Sequence, residues 1–233
     1  MIYVLSDIHG NERRFRSVLQ QIRLKPEDTL YVLGDVIDRH PGGIRILRQI
    51  MAAENMKMLL GNHEYMMLRA LGRSYDHSEE HTGRLQAQAV SHWYRNGGKV
   101  THDHFKRLRK ATREEIIRYL LELPLQINLP GYCLVHAASP ESFVTPSRYL
   151  NAAHFAVWNR WQEVSFPDRD SILVFGHTPT RHYRDCDPME ILHGENAMAI
   201  DCGSGYPEGS EGRLACVRLD DGKVFYSDEG YVE

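Results

Sequence analysis

An α/β fold with its chemistry gathered at strand ends is predicted by three features of this 233-residue sequence. Apolar runs of strand length recur, helical patterns separate the first of them, and aspartate, asparagine and histidine crowd the junctions where the runs stop. Runs that are apolar throughout suit strands buried on both faces.

The first run is "IYVLS" at 2–6, followed by a helical pattern over 11–23. "TLYVLG" at 29–34, a second helical pattern over 43–54 and "MKMLLG" at 56–61 complete a β-α-β-α-β order. Residues 64–123 read as a charged helical cap, interrupted at "NGG" and "THDH", with Thr112 and Glu115 forming a capping box ahead of "IIRYLLEL". Within it "YMML" at 65–68 reads as core. Strands resume at "YCLVHA" (132–137) and "SILVFGH" (171–177), and "RLACVRLDDGKVFYS" reads as a hairpin whose Asp221-Gly222 suits a type I′ turn. "GSG" at 203–205 lacks a strand-to-helix context and reads as a turn rather than a phosphate loop. The length fits one globular domain over 1–233 with the cap inserted at about 64–123.

Charge and composition narrow the partners. A net charge of −3, from 28 basic and 31 acidic residues, gives no field that would draw nucleic acid or a membrane surface. The cysteines at 133, 186, 202 and 216 are too dispersed for a disulfide scaffold and read as reduced thiols. With no signal-peptide pattern and no apolar run of membrane-spanning length, a cytoplasmic location is expected.

The 13 histidines are the compositional oddity. "SDIHGN" at 6–11 places Asp7 and His9 two residues apart, a spacing that on a strand aims both side chains at one face. Alone, the pair is equally a capped strand end with a satisfied histidine. Four further junctions change that: "GDVIDR" with Asp35, Asp38 and Arg39, "GNHE" with Asn62 and His63, "LVHA" with His136, and "FGHT" with His177. Side chains at the carboxyl ends of strands in an open α/β sheet meet in one crevice. Mixed carboxylate, imidazole and amide donors suit Mn²⁺, Fe or Zn²⁺ better than Ca²⁺ or a structural zinc. Asp7, His9, Asp35, Asn62, His136 and His177 are too many for one ion, and a pair of ions bridged by one carboxylate would use them all, an arrangement suited to phosphoryl transfer. The cap histidines His77, His81, His92, His102 and His104 read as surface residues.

The ordered set D-x-H-G, G-D-x-x-D-R, G-N-H-E, a lone strand-end His and G-H-T resembles the calcineurin-like metallophosphoesterases of the phosphoprotein phosphatase type. "WYRNGG" at 93–98, "VWNR" at 157–160 and "FGHTPT" at 175–180 are similar to the bacteriophage lambda and bacterial serine/threonine phosphatases. The resemblance implies a four-layer α-β-β-α sandwich of two mixed sheets and two divalent ions, with Mn²⁺ the first candidate. It implies Asp7, His9 and Asp35 on the first ion, Asp35 bridging, and Asn62, His136 and His177 on the second. It further implies His63 as the acid that protonates the leaving alkoxide, Asp38 as its orienting carboxylate, Arg39, Arg160 and Asn62 as substrate-binding residues, and direct attack by a metal-bridging hydroxide. Two departures stand out. His40 replaces the glycine of the eukaryotic D-R-G turn, and Pro179 stands where relatives that cleave diesters carry a second histidine.

The expected substrate is a phosphomonoester, foremost phosphoserine or phosphothreonine in proteins. The alternative enzyme is a dinucleoside polyphosphate hydrolase that splits diadenosine tetraphosphate symmetrically; Asp38 argues against it, because those relatives usually lack the second aspartate. The non-enzyme alternative is an interaction module on a phosphoesterase scaffold, against which all the site residues are present.

Overall fold

The computed structural model describes residues 1–75, 83–167, 170–207 and 209–227. Two five-stranded sheets form its centre. The first has the order β10-β9-β1-β2-β3, from β1 (Ile2–Leu5), β2 (Thr29–Val32), β3 (Met56–Met58), β9 (Ala215–Arg218) and β10 (Val224–Tyr226). Strands β1, β2 and β3 run parallel and β9 runs antiparallel to β1, so the sheet is mixed. The second has the order β4-β5-β6-β8-β7, from β4 (Gln126–Leu129), β5 (Tyr132–Val135), β6 (Ile172–Phe175), β7 (Leu192–Gly194) and β8 (Ala197–Ala199). Its parallel centre β5-β6-β8 is flanked by antiparallel β4 and β7. The two mixed sheets with flanking helices are those expected.

The unbroken apolar runs follow from this layering. Along β1, Val4 joins the core shared by the two sheets with Leu134, Val174, Met198 and Val217. Its neighbours Tyr3 and Leu5 face the helices instead, beside Phe15, Val18, Ile46 and Leu47. On the far face of the second sheet, Cys133, Leu173 and Phe175 are covered by Trp161, Val164, Phe166 and Tyr183. With both faces buried, a strand has no position left for alternating polar residues.

Helix α1 (Glu12–Ile22) starts at Asn11, whose side chain accepts from Arg14 N at 3.1 Å, and α2 (Gly43–Ala52) follows β2. After β3 come α3 (Asn62–Ala70), α4 (Gly83–Arg95), α5 (Lys99–Phe105) and α6 (Lys110–Glu122), with α7 (Ala152–Trp158) later. "YMML" is indeed core, with Met67 and Leu68 fully buried. All four cysteines are free. No helix among the described residues is long and apolar enough to cross a membrane.

Three local expectations fail. Helix α6 begins at Lys110, so Thr112 lies inside it and caps nothing; Lys110 and Ala111 are strong helix formers that extend the helix by nearly a turn. "THDH" lies within α5 and does not interrupt it, whereas "NGG" does form the α4–α5 turn. In the β9–β10 connection only Gly222 has positive φ, at 73°, so the type I′ turn, which needs two such residues, is absent.

Candidate active site

Strand β1 ends at Leu5, so Asp7 and His9 are brought together by the chain beyond the ladder and not by strand alternation. Each adopts a left-handed backbone, φ 55° and 50°, as do Asp35 at 53°, Asp38 at 72°, Arg39 at 66° and His177 at 64°. Outside glycine this region costs roughly 1–2 kcal/mol per residue, and Asp, Asn and His tolerate it best. Six strained positions at one place mark a functional centre. The loops holding them stay zipped beyond the strands: Asp7 N donates to Gly34 O, His9 N to Asp35 O at 2.8 Å and Gly10 N to Val36 O at 2.7 Å.

The sequence-predicted ligands converge. His9 Nε2 lies 3.9 Å from Asp7 Oδ1 and 3.6 Å from Asp35 Oδ2. His136 Nε2 lies 3.5 Å from Asp35 Oδ1 and 2.9 Å from Asn62 Oδ1, and His177 Nδ1 lies 2.8 Å from that same amide oxygen. Asp35 stands between the halves, its two oxygens turned to opposite sides. Two three-residue groupings can hold a cation, His9-Asp35-His63 and Asp35-His136-His177. Asp7 adds a carboxylate to the first and Asn62 an amide oxygen to the second.

Proton accounting shows that this cluster fits cations. His9 Nδ1 faces Ile37 O at 3.3 Å and His136 Nδ1 faces Leu33 O at 2.6 Å; a carbonyl accepts, so both rings carry their proton on Nδ1 when neutral. Each Nε2 is then a lone pair pointing at carboxylate or amide oxygens, acceptor against acceptor. Asp7 Oδ1 and His177 Nε2 are buried with no hydrogen-bond partner. Burial, together with Arg39 and His63, drives His9 well below the usual imidazole range, and burial with His136 does the same to His177. Burial thus disfavours the charged form of His9 and His177, and a convergence of lone pairs without protons calls for cations.

His63 occupies the first turn of α3. Its Nδ1 donates to Asp38 Oδ2 at 2.7 Å, while Nε2 faces the cluster 3.8 Å from Asp35 Oδ2 and 3.4 Å from Arg39 Nη2. Burial disfavours the imidazolium, yet Asp35 and Asp38 outweigh it and raise the His63 pKa. The imidazolium form of His63 is favoured by these two carboxylates. Asp38 is wholly buried and unpaired with Arg39, so the pair is not a surface ion pair. Arg39 is exposed above the cluster, and Arg160, also exposed, is close enough to His177 to depress its pKa.

Comparison with known proteins fits this arrangement. The family model for calcineurin-like phosphoesterases matches residues 1–207. The chain belongs to the calcineurin-like phosphoesterases. A relative from Aromatoleum aromaticum named symmetrical bis(5′-nucleosyl)-tetraphosphatase is 29% identical over 153 residues, 64% of this chain and 48% of that protein. The chain thus spans about half the length of that relative, and a shorter match to a Delftia acidovorans protein of the same name, 39% identical over 71 residues, covers 30% of this chain and 25% of its own. Among solved structures, a chain provisionally named a diadenosine tetraphosphatase superposes with TM-score 0.62 at 16% identity, covering 97% of this chain and 91% of its own. A cold-active protein-tyrosine phosphatase of a Shewanella species gives 0.56 at 14% identity, covering 97% and 80%. At such identities these two speak to the fold.

Several residues at this candidate site were given no role by the sequence, although Trp93, Gly97, Glu64 and Gly176 lie within motifs it displays. Trp93 of α4 donates its Nε1–H to Asp38 Oδ2 at 2.7 Å, Thr101 Oγ1 of α5 accepts from Asp38 N at 2.9 Å, and Gly97 O accepts from Arg39 N at 3.2 Å. The cap therefore buttresses the His63–Asp38 pair directly. Glu64 accepts from the backbone N–H of Asp35, Val36, Ile37 and Gly61, and burial beside Asp35 pushes its pKa up to about 7 against those bonds. Asp201 is a third buried acid near Asp7, raised well above the carboxylate range by burial and by Asp7. The "GSG" segment is a turn as expected, and it also walls the site: a Cβ on Gly205 would lie 2.5 Å from both Arg39 Nη1 and His9 Cδ2. Gly176 is needed for the same reason, since its Cβ would meet Asp7 Oδ2 at 2.2 Å. Of the cap histidines, His102 bonds the Tyr94 hydroxyl through Nδ1 at 2.6 Å, and His77 and His81 lie outside the described residues.

Proposed function

We propose that this protein is a metal-dependent phosphohydrolase whose substrate is a dinucleoside polyphosphate, cut at an internal phosphoanhydride. The observation that carries the substrate class is the name borne by the curated relatives, symmetrical bis(5′-nucleosyl)-tetraphosphatase. That reverses the order expected from the motifs, in which a phosphomonoester came first.

Asp7, His9, Asp35, Asn62, His136 and His177 would hold two divalent ions, with Mn²⁺ the first candidate and Fe or Zn²⁺ the others. When bound, such ions supply Lewis acidity, lowering the pKa of water and neutralising phosphate oxygens. The exposed guanidinium groups of Arg39 and Arg160 grip non-bridging oxygens of the scissile phosphate. As the oxygen of an attacking water bonds to phosphorus and gives up its proton to solvent, the bond from phosphorus to the leaving oxygen breaks and His63 delivers the proton on Nε2 to that oxygen. Asp38, 2.7 Å from Nδ1, holds the ring in place and offsets its charge.

One observation favours the second reading, a phosphoserine or phosphothreonine phosphatase. The buried His63–Asp38 pair is a full proton-donating device, and an alkoxide, being strongly basic, needs such a donor far more than a phosphate leaving group does. Measuring kcat/KM for diadenosine tetraphosphate and for a phosphopeptide on one metal-loaded preparation separates the two. A large preference for the dinucleotide is expected, and a large preference for the phosphopeptide would overturn the proposal. Inactivity on both, and on p-nitrophenyl phosphate, would return the chain to an interaction module.

A further inference from the structure

Beyond the metal cluster, α3 and α4 enclose a groove of about 440 Å³, within the range of small-molecule sites. Its apolar lining comes from buried Met66, half-buried Ala89 and exposed Leu85, and its polar lining from Gln88, Arg69, His92 and Arg95; none of the described residues lining it is acidic. Arg69 stacks on the Tyr65 ring at 5.9 Å. Arg95 donates to Ser91 Oγ at 3.3 Å and has no carboxylate partner among the described residues.

Two lines of contact link the groove's lining to the candidate active site. On α3, Met66 and Arg69 follow His63 at one-turn intervals, so they lie roughly 4.5 and 9 Å further along the helix that carries it. Beside the groove, the His92 ring lies 5.7 Å from that of Trp158, and Trp158 meets His177 edge-on at 5.8 Å. The local field is positive: burial, then Arg95 and Arg69, lower the His92 pKa.

We propose that this groove binds the nucleoside portion of the substrate beyond the scissile bond. Its base rests on Met66, Leu85 and Ala89, and its phosphates lie between Arg69, His92 and Arg95. The walls are two helices whose backbone groups are already paired within them, so the groove offers an extended peptide no main-chain partners, while a flat, rigid base needs none. Three basic side chains around an apolar floor complement an anion carrying a ring. The assignment rests on the dinucleoside reading of the active site and deepens it.

The test compares ADP and inorganic phosphate as inhibitors of p-nitrophenyl phosphate hydrolysis by the metal-loaded protein. ADP is expected to bind about tenfold or more tightly than phosphate to the wild type. That advantage should collapse towards unity in Arg95→Glu and, independently, in Ala89→Phe, which fills the floor. The KM for diadenosine tetraphosphate should rise in both variants by a much larger factor than the KM for p-nitrophenyl phosphate. A wild type that does not cleave the dinucleotide, yet shows an ADP advantage lost in the variants, would keep the subsite and sink the dinucleotide reading. No ADP advantage in the wild type, or one unchanged in both variants, would overturn the groove assignment. So would a phosphopeptide KM that responds to the variants when ADP inhibition does not.

Discussion

Replacing Trp93 with phenylalanine should weaken both the fold and proton donation by His63. Asp38 is wholly buried, and its Oδ2 accepts two bonds of 2.7 Å, from His63 Nδ1 and Trp93 Nε1, while Oδ1 has no partner. Removing a hydrogen bond to a buried charged group costs about 1.5–3 kcal/mol. The indole is packed against Gly98, and trimming it to a phenyl ring leaves a void worth about 1 kcal/mol. The sum, roughly 2.5–4 kcal/mol, corresponds to a fall in Tm of roughly 5–16 °C for a chain of this size. The kinetic consequence is selective. General acid catalysis supplies about 10²–10⁴ in rate, and a carboxylate freed to rotate surrenders part of it. We expect kcat on an alkyl phosphate such as O-phosphoserine to fall about tenfold, with a loss below about threefold on p-nitrophenyl phosphate, whose leaving group needs little protonation. Differential scanning calorimetry and steady-state rates on the two substrates provide the assay. Equal kinetic losses on both, or an unshifted Tm, would refute the reasoning from the Trp93–Asp38 bond.

His63→Asn should leave metal content unchanged while lowering turnover of alkyl phosphates by about 10²–10⁴ and of p-nitrophenyl phosphate far less; equal losses would count against the acid role, and lost metal would make His63 a ligand. Glu64→Gln places an amide nitrogen among backbone donors that now share one carboxylate, and should cost roughly 2–4 kcal/mol in urea unfolding at unchanged m-value. A change below about 0.5 kcal/mol would show that those bonds do not hold the β2–α2 loop.

Much of this site was legible because buried strands leave a plain trace. "IYVL", "YCLV" and "ILVF" are packed on both faces, so they stay apolar to their ends, and the polar residues that follow stand out. The means of convergence was not legible. Left-handed bends at Asp7, His9 and Asp35 depend on the paired β1 and β2 loops, which no local pattern encodes. Trp93 and Thr101 reach Asp38 from the interior of helices α4 and α5, where an indole or a hydroxyl reads as ordinary packing and no strand end marks it. Glu64 sat inside the "GNHE" motif, and its position as third residue of α3 could have marked it as a backbone cap. Edge strand β4, "QINL", is half-exposed and carries no apolar run, so it left no signal.

The central claim is that the buried acceptors of Asp7, His9, Asp35, Asn62, His136 and His177 exist to hold metal for phosphoester hydrolysis. Metal content by mass spectrometry, followed through chelation, reconstitution and p-nitrophenyl phosphate turnover, tests it most directly. The expected result is about two divalent ions per chain, activity lost with the metal and restored by Mn²⁺, and neither metal nor activity recovered in full by Asp35→Asn. Undiminished hydrolysis by the exhaustively chelated protein, or full metal occupancy and activity in Asp35→Asn, would contradict it.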